Sequence, residues 1–525
     1  MSTMAGRDEP PPSSRTGSSL GAACLTLLGI AFWLLLAASW PVTFDLTQGP
    51  DFSQEYLIQY GLVWDWFRPL LYQFEELFPT AATSLEALTT MLTIWWIVAF
   101  SLYLGALFVV HRSRPGRVLL ALVLGFAVVF QAVLMLSPGI LTTDLFSYAM
   151  YAYIARVYEL NPYLYVPGYF SGNRLTTWIH PVWYYSPSIY GPVWLDLTWW
   201  LAGFTANRSL VDQALVYRLL ANVANLANIG LLGLLLRRVG SRHLAAGLLL
   251  YAWNPLVLFE FAASGHNDVL MMTFVLLGFV FASYRRHLLA VAGVTLAALI
   301  KVTPVLVLPL LAVHVARRWK PHRDQFVSLC LSAAVAIAIA VGLYWPWYEG
   351  PQTFQLVEFW SRGPMYNNWT PDLIAHAIAD RFLDPGLEDQ ERSWETARTA
   401  FKWLTRAIFL VYLAVELRRL ASLRQVLAAS ARVFIAFLIL VNTWVLPWYH
   451  TWAFILTVPL GLKSWVTRVA LFLTLTAPCV MYNRHYWSEN MPSWVYLVYL
   501  APLALPLLDP CIRSELARLV RRTET

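Results

Sequence analysis

Charge is what this chain of 525 residues has least of. Asp, Glu, Lys and Arg together make up 13% of it, about half of the ~25% that soluble domains carry. Also missing are a Walker A loop, a GxGxxG turn and an HExxH helix, which removes the usual signatures of nucleotide and zinc-hydrolase chemistry. Four cysteines, Cys24, Cys330, Cys479 and Cys511, are scattered without a CxxC pair. That pattern supports neither a disulfide framework nor a thiolate metal site, and no cluster argues for a bound metal or cofactor. The apolar runs do not alternate with polar residues, so a β-barrel is excluded.

What is present is hydrophobicity, 58% of the residues, with a mean hydropathy of +0.55. Many runs reach the ~20 apolar residues that a bilayer-spanning helix needs. The expected fold is an all-α polytopic membrane protein, with the lipid bilayer as its surroundings. A net charge of +7 could suggest nucleic acid. The arginines, however, sit in short clusters beside apolar runs, at 111–117, 237–243, 285–287, 317–323 and 418–424. This is the positive-inside pattern, and no nucleic-acid partner is expected.

Fourteen runs are candidate spans: 20–40, 88–110, 118–137, 214–236, 243–262, 267–283, 288–300, 303–316, 326–347, 401–418, 426–446, 450–463, 465–482 and 493–508. With the basic clusters cytoplasmic, both termini are cytoplasmic. The segments 41–87, 138–213, 263–266, 348–400, 447–449 and 483–492 then face outward. The stretch 190–206 is short, opens Tyr-Gly-Pro and carries Asp196; it is expected to lie in the outer interface, as is 56–78. The pair 288–300 and 303–316 is short enough to dip in and return. The resulting plan is a disordered terminus at 1–19, spans and a first outer loop at 20–137, and a catalytic outer loop at 138–213. A membrane core at 214–347, an outer loop at 348–400, spans at 401–508 and a basic tail at 509–525 complete it.

The outer loop begins with Leu141–Phe170, one acid followed by many tyrosines. Read as a helix, Asp144, Ser147, Tyr148, Tyr151 and Ala155 share one face, and Asn161-Pro162 is expected to stop it. A carboxylate at a membrane exit, among phenols, can deprotonate a hydroxyl nucleophile; a solvated charge or helix cap is the plainer reading. Gly265-His266-Asn267-Asp268 forms a tight turn between two apolar runs, where polar groups are costly unless paired or facing a cavity. Asn267 and Asp268 read equally as caps or as contacts, and His266 as a donor to a phosphate or sugar hydroxyl. Lys301 in ALIKVTP reads as a point charge for a lipid phosphate. Tyr449 and His450 lie in a further outward turn, LPWYH, where an aromatic belt competes with function. Arg174 and Arg362 stand in outward loops against the positive-inside bias, as further phosphate candidates.

In order and spacing, TTDLFSYAMYAYI, ELNPY, YGPVW, GHNDVLM and AALIKVTPVLVLP resemble the GT-C glycosyltransferases. The nearest likeness is to bacterial polyprenyl-phosphate-mannose-dependent α-mannosyltransferases, over about residues 130–320, with weaker similarity in PWYHTW. The resemblance implies a GT-C-like bundle of about fourteen transmembrane or re-entrant helices in the cell membrane. It implies a polyprenyl-phosphate sugar donor in the outer leaflet, an extracytoplasmic glycan or glycolipid acceptor, and inversion at the anomeric carbon. Asp144 takes the place of the base. Tyr148, Tyr151, Asn161, Tyr163 and Tyr190 join Arg174, His266, Asn267, Asp268, Lys301, Tyr449 and His450 as expected substrate contacts. Where relatives can carry Lys-Pro-Pro for the donor phosphate, this chain has Ser188-Ile189-Tyr190-Gly191-Pro192, so that contact must come from elsewhere: Lys301, His266 or Arg174. A flippase of lipid-linked sugars and an oligosaccharide ligase with a diphosphate donor stand as alternatives.

Overall fold

In the computed structural model, the described residues are 13–47, 85–139, 141–241, 243–317, 322–354, 390–487 and 495–508, with a few isolated positions besides. Most of the expected interfacial helix at 56–78, Arg362, residues 1–12 and 509–525 and much of the segments 348–400 and 483–492 lie outside them. The disorder expected over 1–19 does not hold for its last part, where the helix Ser13–Thr47 has already begun. The described residues are overwhelmingly helical. In hydrocarbon every backbone N–H and C=O must be satisfied within the segment, and a helix does so.

Among the described residues, seven helices are long and apolar enough to cross a membrane: Ser19–Thr43, Glu86–Arg112, Arg117–Met135, Leu210–Arg238, His322–Trp347, Leu423–Leu440 and Trp465–Tyr482. They coincide with seven of the fourteen apolar runs. The run 243–262 becomes a bent pair, Leu244–Ala252 and Pro255–Ala263, broken by 56°. Pro255 has no N–H to continue the ladder, and Asn254 caps the second piece by accepting from the Val257 N–H at 3.2 Å. Asp268–Ser283, His287–Ala298, Thr303–Ala316 and Leu497–Leu507 are shorter apolar helices. The run 401–418 ends a helix, Gln390–Arg418. The run 450–463 does not become a span-length helix: it is an eight-residue helix, His450–Thr457, followed by a 3-10 turn.

A polar stripe on Leu210–Arg238 ties the broken span to its neighbours. Asn222, Asn225 and Asn228 are three apart and so share a face. The Asn222 side-chain amide donates to the Ala262 carbonyl at 3.2 Å and that of Asn228 to the Val269 carbonyl at 3.1 Å. Asn225 donates to Gln131 at 3.2 Å and accepts from the Tyr251 hydroxyl at 2.6 Å. Side-chain donors of this kind satisfy carbonyls freed by a break in a membrane helix.

Two non-spanning helices lie against this bundle. Asp144–Arg156 packs on Pro192–Thr205, with the Tyr148 ring meeting Tyr190 and Trp194 edge-on, each at 5.1 Å between centroids. At 14 residues, Pro192–Thr205 is shorter than a span, in keeping with the interfacial placement expected for 190–206. The first helix ends sooner than Asn161-Pro162 suggests, at Arg156, with Glu159 at φ 55° turning the chain. Asn161 then acts as a tie: its amide donates to the Trp347 carbonyl at 2.7 Å while its oxygen accepts from the Tyr163 N–H at 3.0 Å. The Trp347 indole N–H in turn donates to Asp196 at 3.0 Å.

Candidate active site

Several separate parts of the chain meet around Asp144. The approach to Asp144 is held by Arg218, which is fully buried. Its guanidinium donates to the carbonyls of Met135, Ser137 and Gly139 at 3.2, 2.5 and 2.9 Å. It thereby satisfies the C-terminal end of Arg117–Met135 and fixes the strand of chain running to Asp144. Gly265 reaches φ 73°, the left-handed region that glycine enters without steric cost, and lets the chain reverse against Arg218.

That reversal aims His266 at Asp144. The ring Nδ1 lies 3.5 Å from the Asp144 carboxylate, and Nε2 lies 3.2 Å from the carboxylate of Glu260. Glu260 accepts in turn from the Tyr482 hydroxyl. The imidazole stacks on Trp448 with centroids 3.8 Å apart and planes 20° from parallel. His266 and Glu260 are fully buried, whereas the Asp144 side chain keeps 18% exposure. Burial alone would lower the His266 pKa. The facing carboxylates of Asp144 and Glu260 outweigh it and raise the value from 6.5 to about 9, because opposite charge favours the protonated ring.

The second charged pair is Lys301 and Asp268, with Nζ 2.9 Å from Oδ1. Asp268 is fully buried and also accepts from the Trp452 indole N–H at 2.7 Å. The Lys301 ammonium lies over the rings of Tyr449 and Trp452, 4.4 and 5.2 Å from their centroids, a cation–π arrangement. Lys301 is placed by backbone docking just before it. The Gly191 N–H donates to the Ile300 carbonyl and the Val193 N–H to the Leu299 carbonyl, each at 3.0 Å. The YGPVW and ALIK segments, which start 108 residues apart in sequence, thus form one unit.

The capping readings of the turn do not hold. Asn267 is the N-cap residue of Asp268–Ser283 but makes no side-chain cap bond; its oxygen accepts from the Tyr148 hydroxyl at 3.5 Å. Thr143, not Asp144, caps its helix position, again without a side-chain bond. Burial first, then the nearby carboxylates Asp144 and Asp268, hold the phenols of Tyr148 and Tyr449 well above their ordinary value, so both remain neutral donors.

The other expected contacts sit further out. The Tyr151 hydroxyl donates to the Ser186 carbonyl at 2.9 Å and that of Tyr163 to the Tyr190 carbonyl at 2.9 Å, which makes them braces of the surrounding loops. Arg174 is exposed and donates to the Arg208 carbonyl at 2.6 Å. His450 is buried beside the Tyr499 hydroxyl at 3.3 Å. None of these contacts joins Arg174 or His450 to the Asp144 group. Glu260, Tyr482, Trp452, Arg218 and His180 were not anticipated. Glu260 had a readable signal, an acid inside an apolar run, which is a functional candidate by default. His180 lies in the outer loop with its Nδ1 accepting from the Val182 N–H at 3.3 Å. Burial lowers its pKa, with the Asp144 charge acting in the opposite sense. Among the described residues, no group of three or more His, Cys, Asp and Glu side chains is arranged to hold a metal ion.

Unpartnered buried polar atoms gather at this place: Ser147 Oγ, Ser264 Oγ, Asn267 Nδ2 and Asp268 Oδ2. Both His266 ring nitrogens and Glu260 Oε2 also lack an aligned hydrogen bond despite their ion-pair distances. Each such group costs roughly 1–3 kcal/mol if left unsatisfied. Their concentration beside the partly open Asp144 side chain fits a site for a polar ligand.

Comparison with known proteins points the same way. Residues 67–317 match the family model described as "Alpha-(1->6)-mannopyranosyltransferase, N-terminal domain". A probable alpha-(1->6)-mannopyranosyltransferase of Mycolicibacterium smegmatis is 27% identical over 376 residues, covering 64% of this chain and 63% of the relative. Alpha-(1->6)-mannopyranosyltransferase A of Mycobacterium tuberculosis is 23% identical over 434 residues, 76% of this chain and 80% of the relative. Alpha-(1->6)-mannopyranosyltransferase B of Corynebacterium glutamicum is 24% identical over 372 residues, 65% and 59% respectively. The chain thus spans under two thirds of the first of these. It is similar to the GT-C-like mannosyltransferases that its motifs resemble, and its helices are those of a polytopic membrane protein.

Proposed function

We propose that this relative of the alpha-(1->6)-mannopyranosyltransferases moves a mannosyl group from a polyprenyl phosphate to a hydroxyl of an extracytoplasmic glycan or glycolipid, with inversion. The carrying observation is the Asp144 carboxylate, partly open at 18% exposure amid buried polar atoms that have no partner. The acceptor hydroxyl attacks the anomeric carbon and gives its proton to Asp144. As the new C–O bond forms, the bond from that carbon to the phosphate oxygen breaks, and its electron pair leaves with the polyprenyl phosphate. A general base of this kind is worth roughly 10²–10⁴ in rate.

The departing phosphate needs positive charge in a poorly hydrated place. Lys301 supplies it: one of its three N–H bonds goes to Asp268, and its side chain keeps 12% exposure. The Tyr148 hydroxyl, Asn267 amide and Ser147 hydroxyl supply neutral hydrogen bonds of the kind that sugar hydroxyls exchange. The polyprenyl tail stays in the bilayer throughout, in the outer leaflet of the cell membrane under this reading.

The test is Asp144→Asn, purified and given radiolabelled polyprenyl-phosphate mannose with a panel of glycan acceptors. Transfer should fall at least ~10²-fold while the protein stays folded; full retained transfer would remove Asp144 as the base. Movement of labelled lipid across vesicles without any acceptor would instead favour a flippase.

A further inference from the structure

We propose that Glu260 is a positioning residue for this reaction: it holds His266 doubly protonated, so that Nδ1–H always faces the base Asp144. The inference rests on Asp144 acting as that base. An imidazole with carboxylates on both nitrogens can satisfy both only as a double donor, since the neutral ring has one N–H and one acceptor. Glu260 and Asp144 stand on opposite nitrogens, at 3.2 and 3.5 Å.

The backbone is shaped for this. Glu260 lies in the π-helical turn Phe259–Ala263, a rare geometry that inserts a residue into a helix and marks functional sites. The His266 N–H bonds back to the Glu260 carbonyl at 3.3 Å, so the two side chains come from one closed loop. A fully buried carboxylate is costly unless paired, and Glu260 has two partners, His266 and the Tyr482 hydroxyl. The Trp448 ring under the imidazole favours a cation on its face. Other charged or titratable groups packed around the turn are the Asp268–Lys301 pair, Tyr148 on Asn267, and Arg218 beside Gly265. Arg218 is committed to the carbonyls before Asp144.

As Asp144 takes the acceptor proton, the imidazolium beside it keeps the carboxyl group oriented and cannot itself accept that proton. The proton therefore stays on Asp144 until it leaves to solvent on the exposed side. Loss of the His266 proton should set the alkaline limit of transfer. For the protein as it stands that limit falls near the raised value of about 9.

The experiment is the pH profile of kcat/KM for Glu260→Gln, with Glu260→Asp as the conservative variant. Glu260→Gln should move the alkaline limb down by at least about one pH unit, and Glu260→Asp should restore most of it. An alkaline limb unchanged in Glu260→Gln overturns the proposal. Should Glu260→Gln not fold, nitrogen-15 spectra of the wild-type histidines decide. The His266 signal, identified by its loss in His266→Gln, should show two protonated nitrogens near neutral pH, and a singly protonated ring overturns the proposal. The Asp144→Asn result separates the two readings: if that variant is inactive and the Glu260→Gln limb does not move, only the role of Glu260 fails.

Discussion

Adding a single methyl group at Gly191 should disable the proposed transfer from a distance. Gly191 has φ −73° and ψ 169°, which any residue can adopt, so the glycine is required by contact and not by backbone freedom. A Cβ there would stand 2.1 Å from the Leu299 carbonyl oxygen, 2.5 Å from its carbon and 2.9 Å from its Cα. Ordinary contact between heavy atoms is near ~3.5 Å, so the two backbones must separate by over ~1 Å. That shift carries the Gly191–Ile300 and Val193–Leu299 bonds, each 3.0 Å, out of hydrogen-bond range. Two bonds at ~1 kcal/mol each, with ~1–3 kcal/mol of overpacking, give about 3–5 kcal/mol of local destabilisation. Lys301 follows Ile300 directly, and a misplacement of ~1 Å can cost ~10²-fold in rate. Gly191→Ala should therefore lower the melting temperature in nanodiscs and cut mannosyl transfer about a hundredfold. Gly230→Ala is the control. Its Cβ meets nothing within 4 Å, and in a helix interior it should stabilise by roughly 0.5–1 kcal/mol. If Gly191→Ala matches wild type in both melting and transfer, the docking of these segments does not position Lys301.

Lys301→Met leaves the fully buried Asp268 carboxylate with the Trp452 N–H but no cation, and should cost ~3–5 kcal/mol of stability. Adding Asp268→Asn should recover most of that, while transfer stays lost; recovered transfer would give Lys301 a purely structural role. The raised pKa of His266 makes stability depend on pH. Its protonated form contributes fully below the ordinary value of 6.5 and is lost as pH climbs through about 9. That contribution is on the order of 3 kcal/mol. The melting temperature should fall over this window, and His266→Gln should flatten the fall; an equally steep fall in the variant would place the responsible group elsewhere.

Much of the site was legible in sequence because short polar motifs stand out against apolar runs. Asp144, the GHND turn and Lys301 were all visible as charges that a membrane segment must justify. What those charges touch was not visible. Asp268 and Asn267 read equally as helix caps or as contacts, because a cap is a local interaction and sequence shows local options only. Their actual partners, Lys301, Trp452 and Tyr148, are 33, 184 and 119 residues away. Tyr482, 222 residues from Glu260, carried no signal at all.

By itself the sequence determined the class: a scarcity of charge and an excess of long apolar runs admit only a helical membrane protein, since hydrocarbon offers no partner for an unpaired backbone. Its clustered arginines determined the expected orientation, and its motif order the expected family likeness. Only the tertiary structure decided how far each acid is exposed and what it pairs with. Asp144, Glu260 and Asp268 are chemically similar carboxylates. Packing leaves Asp144 partly open at 18% and buries the other two completely against His266 and Lys301. Exposure and partnership arise from contacts between distant segments, and no stretch of chain encodes them alone.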